Sequence, residues 1–246
     1  MHTVFLAGGM GTRLSEETHK IPKPMIKIGK YPILFHIMKH YSDFNFNKFI
    51  VCGGYKYNYI KNFFLQNKKL IKKKKFKWDV SIINTGLKTQ TGARIKKIKE
   101  YIKDEKLFFM TYGDGVANVN IKKILQFHKK HKKIATLTAV RPLPRFGNIT
   151  LNKNKVSSFS EKDRLQEGWI NGGFFVLNRE VFDYIDNREN CIFEKEPLQN
   201  LSKNGQLMAY KHEGFWHPMD TLRDKNYLNE LCKKKKIKLG KIKLIK

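Results

Sequence analysis

The first half of the chain alternates short apolar runs with longer amphipathic segments. The short runs predict buried strands, whereas apolar residues spaced three or four positions apart predict helices. The predicted strands are Thr3–Ala7, Phe49–Cys52, Val80–Asn84, Leu107–Thr111 and Ala135–Val140. The predicted helices are Pro32–Asn45, Tyr57–Gln66, Ile95–Ile102 and Ile121–His131. This alternation is typical of an α/β fold with a parallel sheet covered by helices on both faces.

The second half of the chain has a different pattern. Two short strands, Phe146–Leu151 and Lys155–Ser160, flank an Asn-rich turn and predict a hairpin. A further strand is predicted at Phe174–Leu177. The predicted helices are Arg179–Ile185, Glu194–Ser202 and Leu222–Lys235. On this interpretation Glu194 and Glu196 mark the start of a helix and are not a functional pair of carboxylates.

The net charge of +29 is the strongest compositional signal. A basic protein can bind nucleic acid, and a positive cleft can steer phosphorylated substrates. Only eight of the 50 basic residues are Arg, however, and the lysines are spread along the chain, which favours solvated lysines on helix faces. The sequence has no zinc finger, KH glycine loop or aromatic RNP pattern, so we expect no nucleic-acid partner.

Length and composition suit a single domain over residues 1–246. Hydrophobic residues make up 41% of the chain, which is enough for a sizeable core. No apolar run approaches the ~20 residues needed to span a bilayer, and we expect neither a secretory signal nor a membrane partner. The three cysteines are far apart and fit neither a disulfide framework nor a C-x-x-C metal site. A reducing compartment, the cytoplasm, is therefore expected.

A glycine-rich loop follows the first predicted strand, in the segment Leu6–Leu14. Such glycines let the backbone approach a ligand, and their exposed N–H groups can bind phosphate. Leu14 stands where the last glycine of G-x-G-x-x-G is required, and the Gly-Lys-Ser/Thr of a P-loop is absent. Arg13 at the lip of the loop and Lys23, held between two prolines, are candidates for stabilising phosphate charge.

Two aspartates are candidates for holding a metal ion. Asp114 follows an apolar strand and lies between two glycines, where ligands bind in parallel sheets. Asp220 lies far away in sequence, after Pro218-Met219. Two carboxylates completed by phosphate oxygens would suit Mg²⁺. The alternative is that Asp114 forms a turn and that Asp220 caps a helix beginning at Thr221.

The motifs together resemble those of the sugar-nucleotide pyrophosphorylase superfamily. The superfamily motifs are Leu6–Leu14, Lys23-Pro24-Met25, Tyr112-Gly113-Asp114-Gly115 and Asn171-Gly172-Gly173-Phe174. Within it, the chain is most similar to the glucose-1-phosphate cytidylyltransferases. That similarity depends on Ser15–Thr18, Thr89–Arg94, Phe159–Lys162 and Gly214–Thr221. The resemblance runs from residue 3 to about residue 230.

The resemblance implies a fold, a reaction and a set of site residues. The implied fold is Rossmann-like, a mixed but mostly parallel sheet with a small β-rich sugar-binding part. The implied reaction joins CTP and glucose 1-phosphate with Mg²⁺ and gives CDP-glucose, a precursor for polysaccharide biosynthesis. Nucleotide-binding residues would be Leu6, Ala7, Gly8, Gly9, Met10, Gly11, Thr12, Arg13, Lys23, Thr89, Gly92, Arg94 and Gly113. Among them, Thr89, Gly92 and Arg94 would recognise the cytosine ring. Sugar-phosphate residues would be Glu161, Lys162, Asn171 and Gly172. Arg13 and Lys23 would be catalytic, and Asp114 and Asp220 would hold the metal.

The implied organisation is a nucleotide-binding half, 1–115, a sugar-phosphate-binding half, 116–230, and a basic tail, 231–246. A homo-oligomer is expected. Two alternatives stay open. One is a related transferase that uses dTTP, UTP or GTP, or another sugar phosphate. The other is a catalytically silent, basic nucleotide- or nucleic-acid-binding relative, although such a relative is expected to lose the loop arginine or a metal carboxylate.

Overall fold

The structure is a computed structural model that describes residues 1–68, 71, 76–142, 148–160 and 168–233. Its strands are β1 (His2–Ala7), β2 (Lys27–Ile28), β3 (Tyr31–Pro32), β4 (Lys48–Gly53), β5 (Asp79–Asn84), β6 (Leu107–Tyr112), β7 (Gly115–Ala117), β8 (Ala135–Val140), β9 (Asn148–Asn152), β10 (Lys155–Ser160), β11 (Ile170–Asn178), β12 (Leu207–His212) and β13 (Trp216–Pro218). The helices are α1 (Ser15–Thr18), α2 (Ile33–Ser42), α3 (Tyr57–Gln66), α4 (Thr91–Lys97), α5 (Ile121–His131), α6 (Glu196–Lys203) and α7 (Leu222–Lys233). Short 3₁₀ helices occur at Thr12–Leu14, Lys23–Met25, Lys99–Ile102 and Arg179–Tyr184.

Seven strands form the central sheet in the order β12-β8-β11-β6-β1-β4-β5. Strand β1 lies between β6 and β4 and runs parallel to both. Strands β4 and β5 are parallel, as are β8 and β12, whereas β11 runs antiparallel to both β6 and β8. The predicted mixed, mostly parallel sheet is therefore confirmed, and the reversal comes from β11 between two parallel groups.

The apolar run of β1 is continuous because both faces of the sheet are covered. Phe5 points to one hydrophobic core, whereas Val4 and Leu6 point to the other. Phe5 contacts Tyr41 of α2 and Phe49 of β4 edge to face, with ring centroids 5.9 and 5.6 Å away. Since Phe5 is fully buried, Phe5→Ala would cost about 3–5 kcal/mol of unfolding free energy.

The differences from the predicted elements have local causes. Strand β12 was not predicted, because this partly exposed strand at the sheet edge carries a weak apolar signal and no regular alternation. The helix predicted from Glu194 starts at Glu196, since Pro197 suits the first turn of a helix. The segment predicted as a helix at Arg179–Ile185 is a 3₁₀ helix that ends at Tyr184. The helix predicted at Ile95–Ile102 is divided into α4, which begins earlier at Thr91, and a 3₁₀ helix.

Some predicted elements extend beyond the described residues. These are the start of the hairpin at Phe146 and the end of the last helix at Lys235. No helix in the ranges that the structure describes is long and apolar enough to cross a membrane.

Candidate active site

A cavity of about 610 Å³ opens at the carboxyl ends of β1 and β6. Most of the predicted site residues meet there. Its lining includes Leu6, Ala7, Gly8, Gly9, Gly11, Thr12, Arg13, Lys23, Thr89, Arg94, Gly113, Asp114, Asn171, Gly172 and Asp220. Met10 and Gly92 belong to the same segments, but they do not line the cavity. The predicted sugar-phosphate residues Glu161 and Lys162 lie outside the described residues.

The loop after β1 needs glycine at Gly11 for two reasons. Its φ of 68° is in the left-handed region, where a side chain is strained. A Cβ there would also lie 2.9 Å from Thr18 Cγ2 and 3.0 Å from Lys23 Cβ. The hydroxyl of Thr18 donates to the Gly11 carbonyl at 3.2 Å. The turn therefore packs directly against the stem of Lys23. Gly9, by contrast, has nothing within 4 Å of an added Cβ and faces open space.

A short antiparallel strand pair brings the two distant aspartates together. Strand β7, which follows Asp114, pairs with β13, which precedes Asp220, with Gly115 opposite Pro218. The Met219 N–H also donates to the Asp114 carbonyl at 2.9 Å. Because the two residues flank paired strand ends, their side chains reach the same point of the cavity.

Lys23 binds both aspartates. Its ammonium donates to Asp114 Oδ2 at 2.6 Å and to Asp220 Oδ1 at 2.7 Å. Arg13 donates from Nη1 to the other oxygen, Asp220 Oδ2, at 2.6 Å. The Lys23 side chain is 7% exposed, whereas that of Arg13 is 71% exposed. Burial pushes the pKa of Lys23 down, but the two carboxylates outweigh this effect and the pKa is raised above its ordinary value.

Asp220 does not cap the helix that follows it. Asp224 Oδ2 accepts from the Asp220 and Thr221 N–H groups at 3.0 and 2.8 Å, and the Asp224 N–H donates to Thr221 Oγ1 at 3.2 Å. This reciprocal capping box serves the start of α7. The Asp220 carboxylate therefore remains directed at Lys23 and Arg13.

The two aspartates fit a small divalent cation. One nitrogen lies within 2.7 Å of an oxygen from each carboxylate, so a single cation can reach both. Within the described part of the chain, no group of three or more His, Cys, Asp or Glu side chains could hold a metal. Mg²⁺ suits this donor set because it is bound by one or two carboxylates and completes its shell with phosphate oxygens and water.

Thr89 and Arg94 also line the cavity, and both are 3% exposed. Thr89 Oγ1 accepts from Lys97 Nζ at 3.2 Å. The Arg94 guanidinium donates to backbone carbonyls, among them that of Gly8 at 3.0 Å. The Gly92 N–H is bonded to the Cys191 carbonyl at 3.0 Å.

Glu194 is a cavity residue that the sequence analysis misread as a helix start. Its carboxylate accepts from the Tyr112 hydroxyl and, at 2.5 Å, from Thr91 Oγ1. Asn171 Nδ2 donates to the same Tyr112 oxygen at 3.3 Å. Burial, followed by the Glu194 charge, raises the pKa of Tyr112 well above its ordinary value. No local sequence signal could have found this cluster, because its members come from four separate segments.

Comparison with known proteins gives the family. The family model described as "Nucleotidyl transferase" matches residues 2–229. The chain is 49% identical to glucose-1-phosphate cytidylyltransferase of Salmonella typhimurium, over 96% of this chain and 97% of that protein. It is 41% identical to the probable glucose-1-phosphate cytidylyltransferase of Bacillus subtilis, over 94% and 96%.

Solved structures share the fold of this chain. HddC from Yersinia pseudotuberculosis is similar with a TM-score of 0.71 and 26% identity, over 93% of this chain and 98% of that chain. A UDP-glucose pyrophosphorylase shares the fold at a TM-score of 0.72 and 16% identity, over 95% and 98%. The chain therefore belongs to the nucleotidyl transferase family and, within it, groups with the glucose-1-phosphate cytidylyltransferases.

Proposed function

We propose that this protein transfers a cytidylyl group from CTP to glucose 1-phosphate and releases pyrophosphate. A phosphate oxygen of the sugar phosphate attacks the α-phosphorus of CTP and forms a new P–O bond. The bond from that phosphorus to the bridging oxygen breaks, and pyrophosphate leaves with the electron pair. Such a displacement needs in-line positioning and positive charge around the phosphates, and it needs no protein nucleophile.

The observation that carries the proposal is the ion-pair network of Arg13, Lys23, Asp114 and Asp220 at the edge of the glycine loop. Lys23 is buried and lines the cavity, and in this proposal it neutralises the α-phosphate. The Arg13 side chain is exposed at the lip of the glycine loop, so it can stay in contact with the β- and γ-phosphates as pyrophosphate leaves. The N–H groups of the loop, with Gly9 facing open space, would bind phosphate oxygens.

Asp114 and Asp220 would hold Mg²⁺, which supplies charge neutralisation at the phosphates when it is bound. For them to do so, Lys23 must leave at least one of its two carboxylate partners. The same movement would bring its ammonium toward the substrate phosphate. The negatively charged triphosphate would attract the Lys23 ammonium that the aspartates release.

The sugar-phosphate assignment remains a proposal. Asn171 and Gly172 line the cavity on the side of Tyr112 and Glu194, which supports a polar sugar pocket there. Glu161 and Lys162 are proposed to contact the sugar phosphate on the basis of their motif alone. Thr89, Gly92 and Arg94 were predicted to recognise the cytosine ring; the N–H of Gly92 and the guanidinium of Arg94 are already bonded within the protein.

The direct test is pyrophosphate release from a panel of CTP, dTTP, UTP and GTP, each with several sugar 1-phosphates and Mg²⁺. Turnover that is fastest with CTP and glucose 1-phosphate supports the proposal. Turnover with another nucleotide and none with CTP would move the protein to a related transferase. Tight, salt-sensitive binding to DNA without any turnover would favour the catalytically silent alternative.

We further propose that the protein works in the cytoplasm as a homo-oligomer. The hairpin of β9 and β10 supports association, because it exposes four apolar side chains that pair directly across the two strands. These pairs are Ile149 with Phe159 and Leu151 with Val156. Exposed clusters of this kind often mark an interface. Light scattering should give a multiple of 29.0 kDa, and Phe159→Asp should lower the measured mass.

A further inference from the structure

Helix α7 begins two residues after Asp220 and packs one of its faces against earlier parts of the chain. The residues of this face are three or four positions apart, the spacing of neighbours on a helix surface. They are Lys225, Leu228, Asn229 and Cys232. Leu228 is 1% exposed and belongs to a hydrophobic core. Apolar packing therefore anchors the helix and places the polar side chains beside it against neighbouring segments.

Two polar contacts join this face of α7 to earlier segments. Lys225 Nζ forms an ion pair with Glu17 Oε1 of α1, and the two side chains are only 21% and 27% exposed. Asn229 Oδ1 accepts from the Gly29 N–H at 2.8 Å. Asn229 Nδ2 donates to the Lys225 carbonyl at 3.0 Å, so reversing the amide would lose both of its bonds. Both ends of the Asn229 amide are thus used to hold the contact.

The contact at Gly29 leaves no room for a side chain. Gly29 lies in the turn between β2 and β3, and its φ of 62° is in the left-handed region. A Cβ there would also lie 2.8 Å from Cys232 Sγ of α7. The backbone of the turn therefore rests directly on the helix.

The two contacts connect the same parts of the chain as the ion-pair network in the cavity. Glu17 lies four residues after Arg13, and Gly29 lies six residues after Lys23. Asp220, which binds both of these cations, lies just before the helix. Because the contacts are one helical turn apart, about 6 Å along the axis, they fix the direction of α7 as well as its position.

The contacts inside and outside the cavity respond differently to a metal ion. Lys23 must release at least one carboxylate before Asp114 and Asp220 can hold Mg²⁺. The contacts of Lys225 and Gly29 lie away from the cavity lining, so they can stay intact. They are then the attachments that hold the segment of Asp220 after the cation has left it.

We propose that Lys225 and Asn229 are positioning residues for Asp220. They keep the start of α7 in place, so that the Asp220 carboxylate stays next to Asp114 when the Lys23 ammonium moves away. Neither side chain lines the cavity, so each acts through Asp220 and not on the substrate. The proposal deepens the proposed function and rests on it, since the two aspartates are taken to hold Mg²⁺.

The first test measures the Mn²⁺ affinity of nucleotide-free Lys225→Met by electron paramagnetic resonance. Loss of positioning should weaken Mn²⁺ binding about three- to fivefold, which is the contribution expected of a partly exposed ion pair. Removal of a positive charge has the opposite effect by itself, because less positive surroundings attract a divalent cation more strongly. The sign of the change therefore separates positioning from a change of charge.

Two further variants control this test. Arg223→Met is the matched control, because Arg223 is an exposed cation of the same helix and forms no ion pair among the described residues. Its Mn²⁺ affinity should equal that of the unsubstituted protein within about twofold, or be slightly higher. The exchanged pair, Glu17→Lys with Lys225→Glu, keeps the net charge and should restore the affinity to within about twofold.

The second test uses Asn229→Ala, which changes no charge and covers the case in which Lys225→Met does not fold. Loss of the acceptor for the Gly29 N–H should weaken Mn²⁺ binding about threefold. In both variants the Mg²⁺ concentration for half-maximal turnover should rise by the same factor, and the KM for glucose 1-phosphate should not change. A merely structural role would lower the urea midpoint and leave the Mg²⁺ dependence unchanged.

The outcomes distinguish this proposal from the proposed function. Equal or tighter Mn²⁺ binding by Lys225→Met, or an exchanged pair that does not restore the affinity, would overturn the positioning role. Absence of Mn²⁺ binding by the unsubstituted protein would overturn it too, because α7 would have no metal site to hold. Failure of the proposed function would appear separately, as an unsubstituted protein that binds Mn²⁺ but releases no pyrophosphate from any nucleotide.

Discussion

The two walls of the cavity hold their cations in opposite ways. On the acidic wall, formed by Arg13, Lys23, Asp114 and Asp220, every cation is bound to a carboxylate. At the second place, which we call the carbonyl wall, Arg94 and Gly8 line the cavity, and the Arg94 guanidinium donates only to neutral groups. Ion pairs can exchange partners when a charged ligand binds, whereas a buried guanidinium with five hydrogen-bond acceptors is held in place. We therefore expect the side chains of the acidic wall to rearrange on ligand binding and Arg94 to keep its position.

The largest expected effect is the loss of turnover in Arg13→Ala. A cation that stabilises charge developing on the leaving pyrophosphate is expected to contribute about 10²–10³-fold to kcat. Since the Arg13 side chain is 71% exposed, the free energy of unfolding should hardly change. Steady-state kinetics and urea unfolding would measure both quantities.

Arg188→Ala is the matched control for this substitution. Arg188 is also an exposed arginine in ion pairs, with Asp186 and Glu196, but it does not line the cavity. Its replacement should leave turnover unchanged. Near-normal turnover in Arg13→Ala would contradict the role assigned to the acidic wall.

Lys23→Gln should raise the affinity of the nucleotide-free protein for a divalent cation by about tenfold, because the ammonium no longer competes for both carboxylates. Titration with Mn²⁺ alone, followed by electron paramagnetic resonance, would measure this. Lys39→Gln removes the same charge from an ion pair with Asp43 outside the cavity and should leave Mn²⁺ affinity nearly unchanged. Weaker Mn²⁺ binding in Lys23→Gln would show that the wall does not exchange cations.

The contribution of Lys23 to the free energy of unfolding should be lost only at high pH. Its pKa is raised in the folded state, so its contribution is complete below the unfolded pKa of about 10.4 and is lost as pH rises through the folded pKa. Lys23→Met should lower the free energy of unfolding by about 3–5 kcal/mol at neutral pH, because it leaves Asp114 and Asp220 without their shared cation. Urea unfolding should give a constant difference up to about pH 10 and a smaller one above it. A difference that vanishes near neutral pH would contradict the ion pairs.

The smallest expected effect comes from the support of the acidic wall. Asp224→Ala removes the capping box at the start of α7 and should lower the unfolding free energy by about 0.5–1 kcal/mol. Asn226→Ala, at an exposed position of the same helix, should change it by less than about 0.5 kcal/mol. Equal effects of the two substitutions would mean that the cap does not hold the segment of Asp220.

Local patterns predicted much of the fold and part of the cavity. The alternation of strands and helices predicted an α/β fold with a parallel sheet, because buried parallel strands are continuous apolar runs. The mixed character of the sheet was implied only by the family resemblance. The glycine loop with Arg13 and Lys23 was visible because its residues are close in sequence. Glu194 was missed since its partners Tyr112 and Thr91 are distant along the chain. The acceptors of the Arg94 guanidinium could not be predicted either, because most of them are backbone carbonyls, which every residue carries.

The sequence by itself determined the fold class, the family and the chemical groups available for phosphate and metal, since periodicity, glycines and charges are properties of neighbouring residues. Only the tertiary structure decided which groups meet. The pairing of β7 with β13 places Asp114 and Asp220 on one ammonium. The spaces at Gly8 and Gly54 seat Arg94 below the loop. Both depend on contacts between segments far apart in the chain, which sequence spacing does not encode.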